Sequence, residues 1–210
     1  MGTRNITNVY VNGEQKLCQY GQWNGYPTGA GRDIMDFIRR TDDAHMVERL
    51  SDVELHVCKD GDLAYVTGYP ATDEVTAVIR DKDDFFYSDR GVDYTDRKRR
   101  AHNYVLGKYG DEAVLRAELS TRDTGCEALD LIYGSNCHVD TWTEPYLMGN
   151  DGDWQIEAVW KLYYDTKKLC GIWHGLSMWW SFDEIRSWSE DEMAAALESF
   201  ERADYGEDEE

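Results

Sequence analysis

Apolar and polar positions change period several times along this chain, and those changes predict its elements. Ile6, Val9 and Val11 precede Asn12-Gly13, and Leu17, Cys18 and Tyr20 follow it. Asn and Gly both accept the positive φ angles of a tight turn, so residues 6–20 predict a β-hairpin. Ile34, Phe37 and Ile38 then recur at helical spacing and predict a helix over Arg32–Arg40. A short helix over Ala44–Leu50 and a strand over Glu54–Cys58 come next.

The middle gives a strand at Leu63–Val66, conflicting signals over Thr72–Asp93, and helices at Thr95–Tyr109, Asp111–Leu119 and Glu127–Tyr133. Strand signals return at Trp154–Tyr164, rich in β-branched and aromatic residues. Asp165-Thr166-Lys167-Lys168 reads as a turn, Leu169–His174 as the returning strand, and Met178–Phe182 as a segment docked beside it. Ser189 with Glu192 three residues on forms a capping box for a last helix, whose apolar face is Met193, Leu197 and Phe200. The expected fold is a single α+β domain over residues 1–205. Its mixed or antiparallel sheet comes from the N-terminal hairpin and the C-terminal strands, packed with helices, and residues 206–210 form a disordered acidic tail.

Charge narrows the range of partners. The 210 residues carry a net charge of -20, and the stretch from Asp183 to Glu210 holds twelve carboxylates against Arg186 and Arg202. Such an excess disfavours a nucleic-acid backbone or an anionic membrane and favours a basic protein partner. Arg97-Lys98-Arg99-Arg100 is the one basic run, with Asp89, Asp93 and Asp96 as its expected counter-charges. Five cysteines form no regular framework, no signal peptide is read at the N-terminus, and no window approaches a membrane span. The expected location is the cytoplasm, with reduced thiols.

The segment Gln19-Tyr20-Gly21-Gln22-Trp23-Asn24-Gly25-Tyr26-Pro27-Thr28-Gly29-Ala30-Gly31-Arg32 is unusually rich in glycine and aromatic residues for a connection. One reading makes it a site for a nucleotide-like anion, bound or hydrolysed: Gly29 and Gly31 offer amides at a helix start, Arg32 adds a fork, and Trp23 or Tyr26 stacks on a base. The other reading makes it a plug for one end of the core. It lacks the endings of a P-loop and of a dinucleotide fingerprint.

Three weaker constellations are present. Thr3 could serve as an N-terminal nucleophile only after a second cleavage, because removal of Met1 leaves Gly2 in front. His56 and Cys58 share a strand face, and Cys137-His138 are adjacent, but none has zinc-ligand spacing. Adjacent strand residues face opposite ways, which argues against a Cys137–His138 dyad. No catalytic residue, metal or cofactor is expected.

The opening Met1-Gly2-Thr3-Arg4-Asn5-Ile6-Thr7 and the block Gln19–Pro27 resemble a family of uncharacterised proteins carried by phages, prophages and other mobile elements. The aromatic hairpin around Trp160–Trp173 and Phe182-Asp183-Glu184 look similar to that family's later part. The resemblance implies a mobile-element origin and, by analogy with small acidic inhibitors such as anti-CRISPR proteins, a counter-defence role. The expected function is an acidic, non-enzymatic binding protein that imitates nucleic acid. It would present Asp183, Glu184, Glu190, Asp191 and Glu198 to a basic nucleic-acid-binding host protein such as a CRISPR effector. The oligomeric state is left open.

Overall fold

Asn12 and Gly13 both adopt positive φ (53° and 75°), so the chain reverses in two residues. The turn joins β1 (Asn5–Val11) to an antiparallel β2 (Glu14–Gly21). Both turn amides donate to the Asp165 carboxylate, at 2.6 and 2.9 Å. Asp165 lies in the tight turn between β5 (Ala158–Tyr163) and β6 (Lys168–Trp173), so one side chain fastens two hairpin ends 153 residues apart.

The computed structural model describes residues 2–57, 125–135, 139–143, 147–148 and 156–203. The elements expected at 63–66 and 72–119, and the tail at 206–210, lie outside them. A five-stranded mixed sheet has the order β2-β1-β5-β6-β7, with β7 at Leu176–Ser181. β5 pairs with β1 in parallel and with β6 antiparallel, and β6 pairs antiparallel with β7. A parallel two-stranded ladder, β3 (Val53–Val57) with β4 (Val139–Thr143), lies beside β2. The α+β class and the mixed sheet are as the sequence predicts.

Helices cover one face of the large sheet. They are α1 (Arg32–Arg40), α2 (Asp43–Ser51), α3 (Ala128–Gly134), α4 (Phe182–Ser187) and α5 (Glu190–Arg202). The main core joins Val9, Leu17, Trp160, Leu162, Leu169 and Trp180 of the sheet to Ile34, Phe37, Ile185, Leu197 and Phe200 of the helices. A smaller core on the opposite face holds Ile6, Cys18, Val159, Cys170 and Ile172 with Leu147 and Ile156. Among the described residues no helix is long and apolar enough to cross a membrane.

Trp160 sits in the central strand with its indole fully buried. A Cβ on Gly31 would stand 2.5 Å from that ring, and a Cβ on Gly171 would stand 2.6 Å from it. Both positions are therefore closed to a side chain unless the indole moves. We expect Gly31→Ala and Gly171→Ala each to cost about 1–3 kcal/mol, read as a lowered urea midpoint. Gly134→Ala, which meets nothing within 4 Å, should leave the midpoint in place. Equal midpoints for all three would rule out this wedging of Trp160.

Candidate functional site

The glycine-aromatic connection turns out to be ordered backbone. Asn24 takes a positive φ of 59°, and a π-helical turn over Pro27–Gly31 leads into α1. Proline at the head of that turn costs no hydrogen bond there. The amides that the anion reading needs are engaged within the loop. Gly29 N–H and Gly31 N–H both donate to Tyr26 O (3.0 and 3.3 Å), and Ala30 N–H donates to Asn24 O at 2.7 Å. Gly25 N–H donates to the carbonyl of buried Thr3 at 3.1 Å. A Cβ at Gly29 would fall 2.3 Å from Asn24 Oδ1, so this glycine serves close packing inside the loop.

The aromatics divide. Trp23 is 65% exposed and rests on Gly2, while Tyr26 is 42% exposed and meets Trp173 at 5.8 Å. Arg32 is not a free fork either: its guanidinium donates to Glu190 at 2.7 Å. Arg39 donates to the same carboxylate and holds the Glu190 carboxyl below the usual range. Near the other end of α5, Glu201 accepts from Thr28 N–H (3.2 Å) and Thr28 Oγ1 (2.7 Å), and its carbonyl accepts from Trp173 Nε1 at 3.2 Å. The structure thus joins the two candidate sites, because the acidic helix is the clamp on the glycine-aromatic loop.

The five carboxylates proposed from sequence have different duties. Glu190 is the clamp. Glu184 closes the capping box of α4 by accepting from Ser181 N–H at 3.3 Å, and Glu198 pairs with Arg202 at 2.8 Å. Asp183 and Asp191 are exposed in the first turns of α4 and α5, where the helix dipole favours negative charge. Glu192, the expected partner of Ser189 in the α5 capping box, is held below its usual pKa by the Ser189 backbone and hydroxyl.

A second acidic neighbourhood was not singled out from sequence. A cleft of about 190 Å³ between α1 and α3 is lined by Asp33, Asp36, Arg40, Cys126, Glu127 and Asp130. Burial, then Asp36, pushes the Asp33 carboxyl up, and burial pushes the Cys126 thiol up to about 12. Burial pushes the Cys18 thiol up to about 11. Both cysteines are therefore thiols at neutral pH, without the thiolate that nucleophilic chemistry requires. His56 lies on β3 within 3.9 Å of Glu54, while Cys58, Cys137 and His138 fall outside the described residues. Among the described residues no three His, Cys, Asp or Glu side chains are placed to hold a metal ion. Sequence reasoning also passed over Leu176 and Met178, which stand exposed with Trp179 on β7, whose strand was expected two residues later. The signal was the Trp179-Trp180 pair: on a strand one of two neighbours must face away from the core.

Compared with known proteins, the chain matches no family model, no curated protein and no solved structure.

One further ion cluster bears on stability. Arg186 of α4 donates to the Asp43 carboxylate, to Ile38 O and to Thr41 O, and Lys167 joins Asp43 at 3.2 Å. Burial alone would raise the Asp43 carboxyl, but hydrogen bonds from Arg186 and Lys167 outweigh it and hold the carboxyl low. A carboxyl depressed by folding stabilises fully above its unfolded pKa, about 3.9, and loses that contribution as the pH falls through its lower folded value. Asp43→Asn should therefore lower the urea midpoint at pH 7 and flatten its fall below about pH 4. An Asp43→Asn acid profile parallel to that of the wild type would remove Asp43 from the acid-labile set.

Proposed function

We propose that this protein is an acidic binding protein that occupies the basic surface of a nucleic-acid-handling protein and excludes the nucleic acid from it. Its setting would be the host cytoplasm, and its role counter-defence for a mobile element, with a CRISPR effector as the leading target class. The reading rests on one observation: two consecutive helices each begin at the surface with carboxylates in the first turn, Asp183 and Glu184 on α4 and Glu190, Asp191 and Glu192 on α5. The net charge of -20 adds a long-range field of the same sign. Such a field accelerates encounter with a basic partner and sets its register.

The division of duties among the carboxylates refines the surface. Asp183 and Asp191 can meet a partner without giving up a cap or a clamp, and Glu198 can do so by exchanging Arg202. Glu184 and Glu190 act mainly by keeping α4 and α5 in place. The glycine-aromatic loop lies outside this surface and keeps α5 in place through Arg32 and Thr28.

The test is capture from lysate of a CRISPR-bearing host on the immobilised protein at low salt, followed by salt elution and mass spectrometry. One stoichiometric nucleic-acid-binding complex is expected. The double variant Asp183→Lys/Asp191→Lys should weaken its capture about tenfold or more at low salt, with the difference shrinking as salt screens the charges. Trp23→Ala, which leaves every carboxylate in place, should retain the complex. Capture indifferent to salt and to the double charge reversal would overturn the reading, as would recovery of nothing.

A further inference from the structure

Among the described residues, one pairing edge of β7 is unused, and it has a specific geometry. Its six residues, Leu176-Ser177-Met178-Trp179-Trp180-Ser181, include no charge and no proline, the devices that usually blunt an edge strand. Among the described residues it pairs on one side only, with β6. Leu176 and Met178 are 42% and 41% exposed on the helix-covered face, and Trp179 is 52% exposed on the other. Behind Trp179 the rings of Tyr163 and Tyr10 form a stacked row, at 5.6 and then 4.8 Å. Apolar surface therefore flanks the open edge on both sides.

The ladder fixes which backbone groups face outward. Phe182 N–H donates to Lys167 O, continuing the β6–β7 pairing. Hydrogen-bonded pairs alternate in an antiparallel ladder, so Trp180, Met178 and Leu176 turn their backbone groups toward β6. Ser177, Trp179 and Ser181 turn theirs to the free edge. Ser181 N–H is already taken by Glu184 in the α4 capping box. Among the described residues, nothing takes the other outward N–H groups, those of Ser177 and Trp179, one on each side of Met178.

That spacing suits an antiparallel copy of the same strand. We infer that the protein forms a two-fold dimer through β7, with Met178 on the axis and Ser177 of each copy paired with Trp179 of the other. The register uses every open outward N–H and sets the small Ser177 against the large Trp179 on the outer face. On the opposite face the two Met178 side chains meet, and each Leu176 lies opposite the other copy's Trp180. The alternative register, centred on Trp179, sets indole against indole and pairs Ser177 with a Ser181 whose N–H is occupied. A basic partner strand would find no carboxylate on β7, whereas a second copy finds its own apolar pattern. The pairing joins two five-stranded sheets into one. Each copy brings a charge of -20, so added salt strengthens this association, the opposite of its effect on a basic partner. The dimer does not depend on the counter-defence reading.

Sedimentation equilibrium of the full chain over a range of concentrations and salt tests it. A dimer that tightens from low salt to about 0.5 M NaCl is expected. Met178→Lys sets two ammonium groups against each other and should weaken the dimer about a hundredfold, with the unfolding midpoint unchanged. Should Met178→Lys disturb folding, cysteine pairing decides. On the axis the two Cα atoms lie about 4.5 Å apart, so Met178→Cys should give a covalent dimer with oxidised glutathione. Leu176→Cys, whose copies lie about 13 Å apart, should not exceed the wild-type background. A monomer at every concentration and salt overturns the inference. So does a dimer of unchanged strength in Met178→Lys, or equal cross-linking in the two cysteine variants.

Discussion

The position of one indole decides where most of the described structure can go. Trp160 stands in the central strand, and Gly31 and Gly171, whose backbones press on its ring, carry no side chain. Phe200 meets it edge-on at 6.4 Å and meets Trp180 in the same manner at 5.5 Å. The loop entering α1, strand β6 and helix α5 are thus seated on a single residue. Interiors are close-packed, so a shift in any one of the three is transmitted to the others. With α5 seated, Glu190 reaches Arg32 and Arg39, and Glu201 reaches Thr28.

A net charge of -20 does not become an equally negative surface. Several carboxylates among the described residues satisfy donors that the fold would otherwise leave without partners. Glu184 and Glu192 receive the orphan amides at two helix starts, Asp42 receives His45 N–H at a third, and Asp165 receives both amides of a hairpin turn. Asp43 gathers Arg186 and Lys167 where α1 gives way to α2. Among the carboxylates of α4 and α5, Asp183 and Asp191 are the least committed.

The local grammar of the described elements was readable in the sequence. Asn12-Gly13 announced the first hairpin, Ser189 with Glu192 announced α5, and the spacing of Ile34, Phe37 and Ile38 announced α1. Each is a short-range signal in which backbone preference and burial pattern agree. The parallel pairing of β1 with β5 was not readable, because register between segments some 150 residues apart leaves no local mark. Helix α4 was missed although Ser181 and Glu184 form a capping box, since its six residues are too few to show a period. The π-helical turn at Pro27–Gly31 was hidden for a different reason. Its glycines answer to Trp160 and Asn24, partners that lie elsewhere in the chain or in the loop's own fold. Within the loop, the amides that an anion would need donate to Tyr26 O and Asn24 O.

The parallel contact between β1 and β5 also sets an order of events at the ribosome. The first hairpin is complete by Gly21, yet its neighbour in the sheet, β5, ends at Tyr163. About 140 residues must be made in between, which at 5–20 residues per second takes about 7–30 s. Throughout that interval the inner edge of β1 lacks β5, and the turn at Asn12-Gly13 lacks the Asp165 carboxylate. The nascent chain therefore passes through a stage in which the β1–β2 hairpin has only part of its final pairing, and chaperones would meet it in that state.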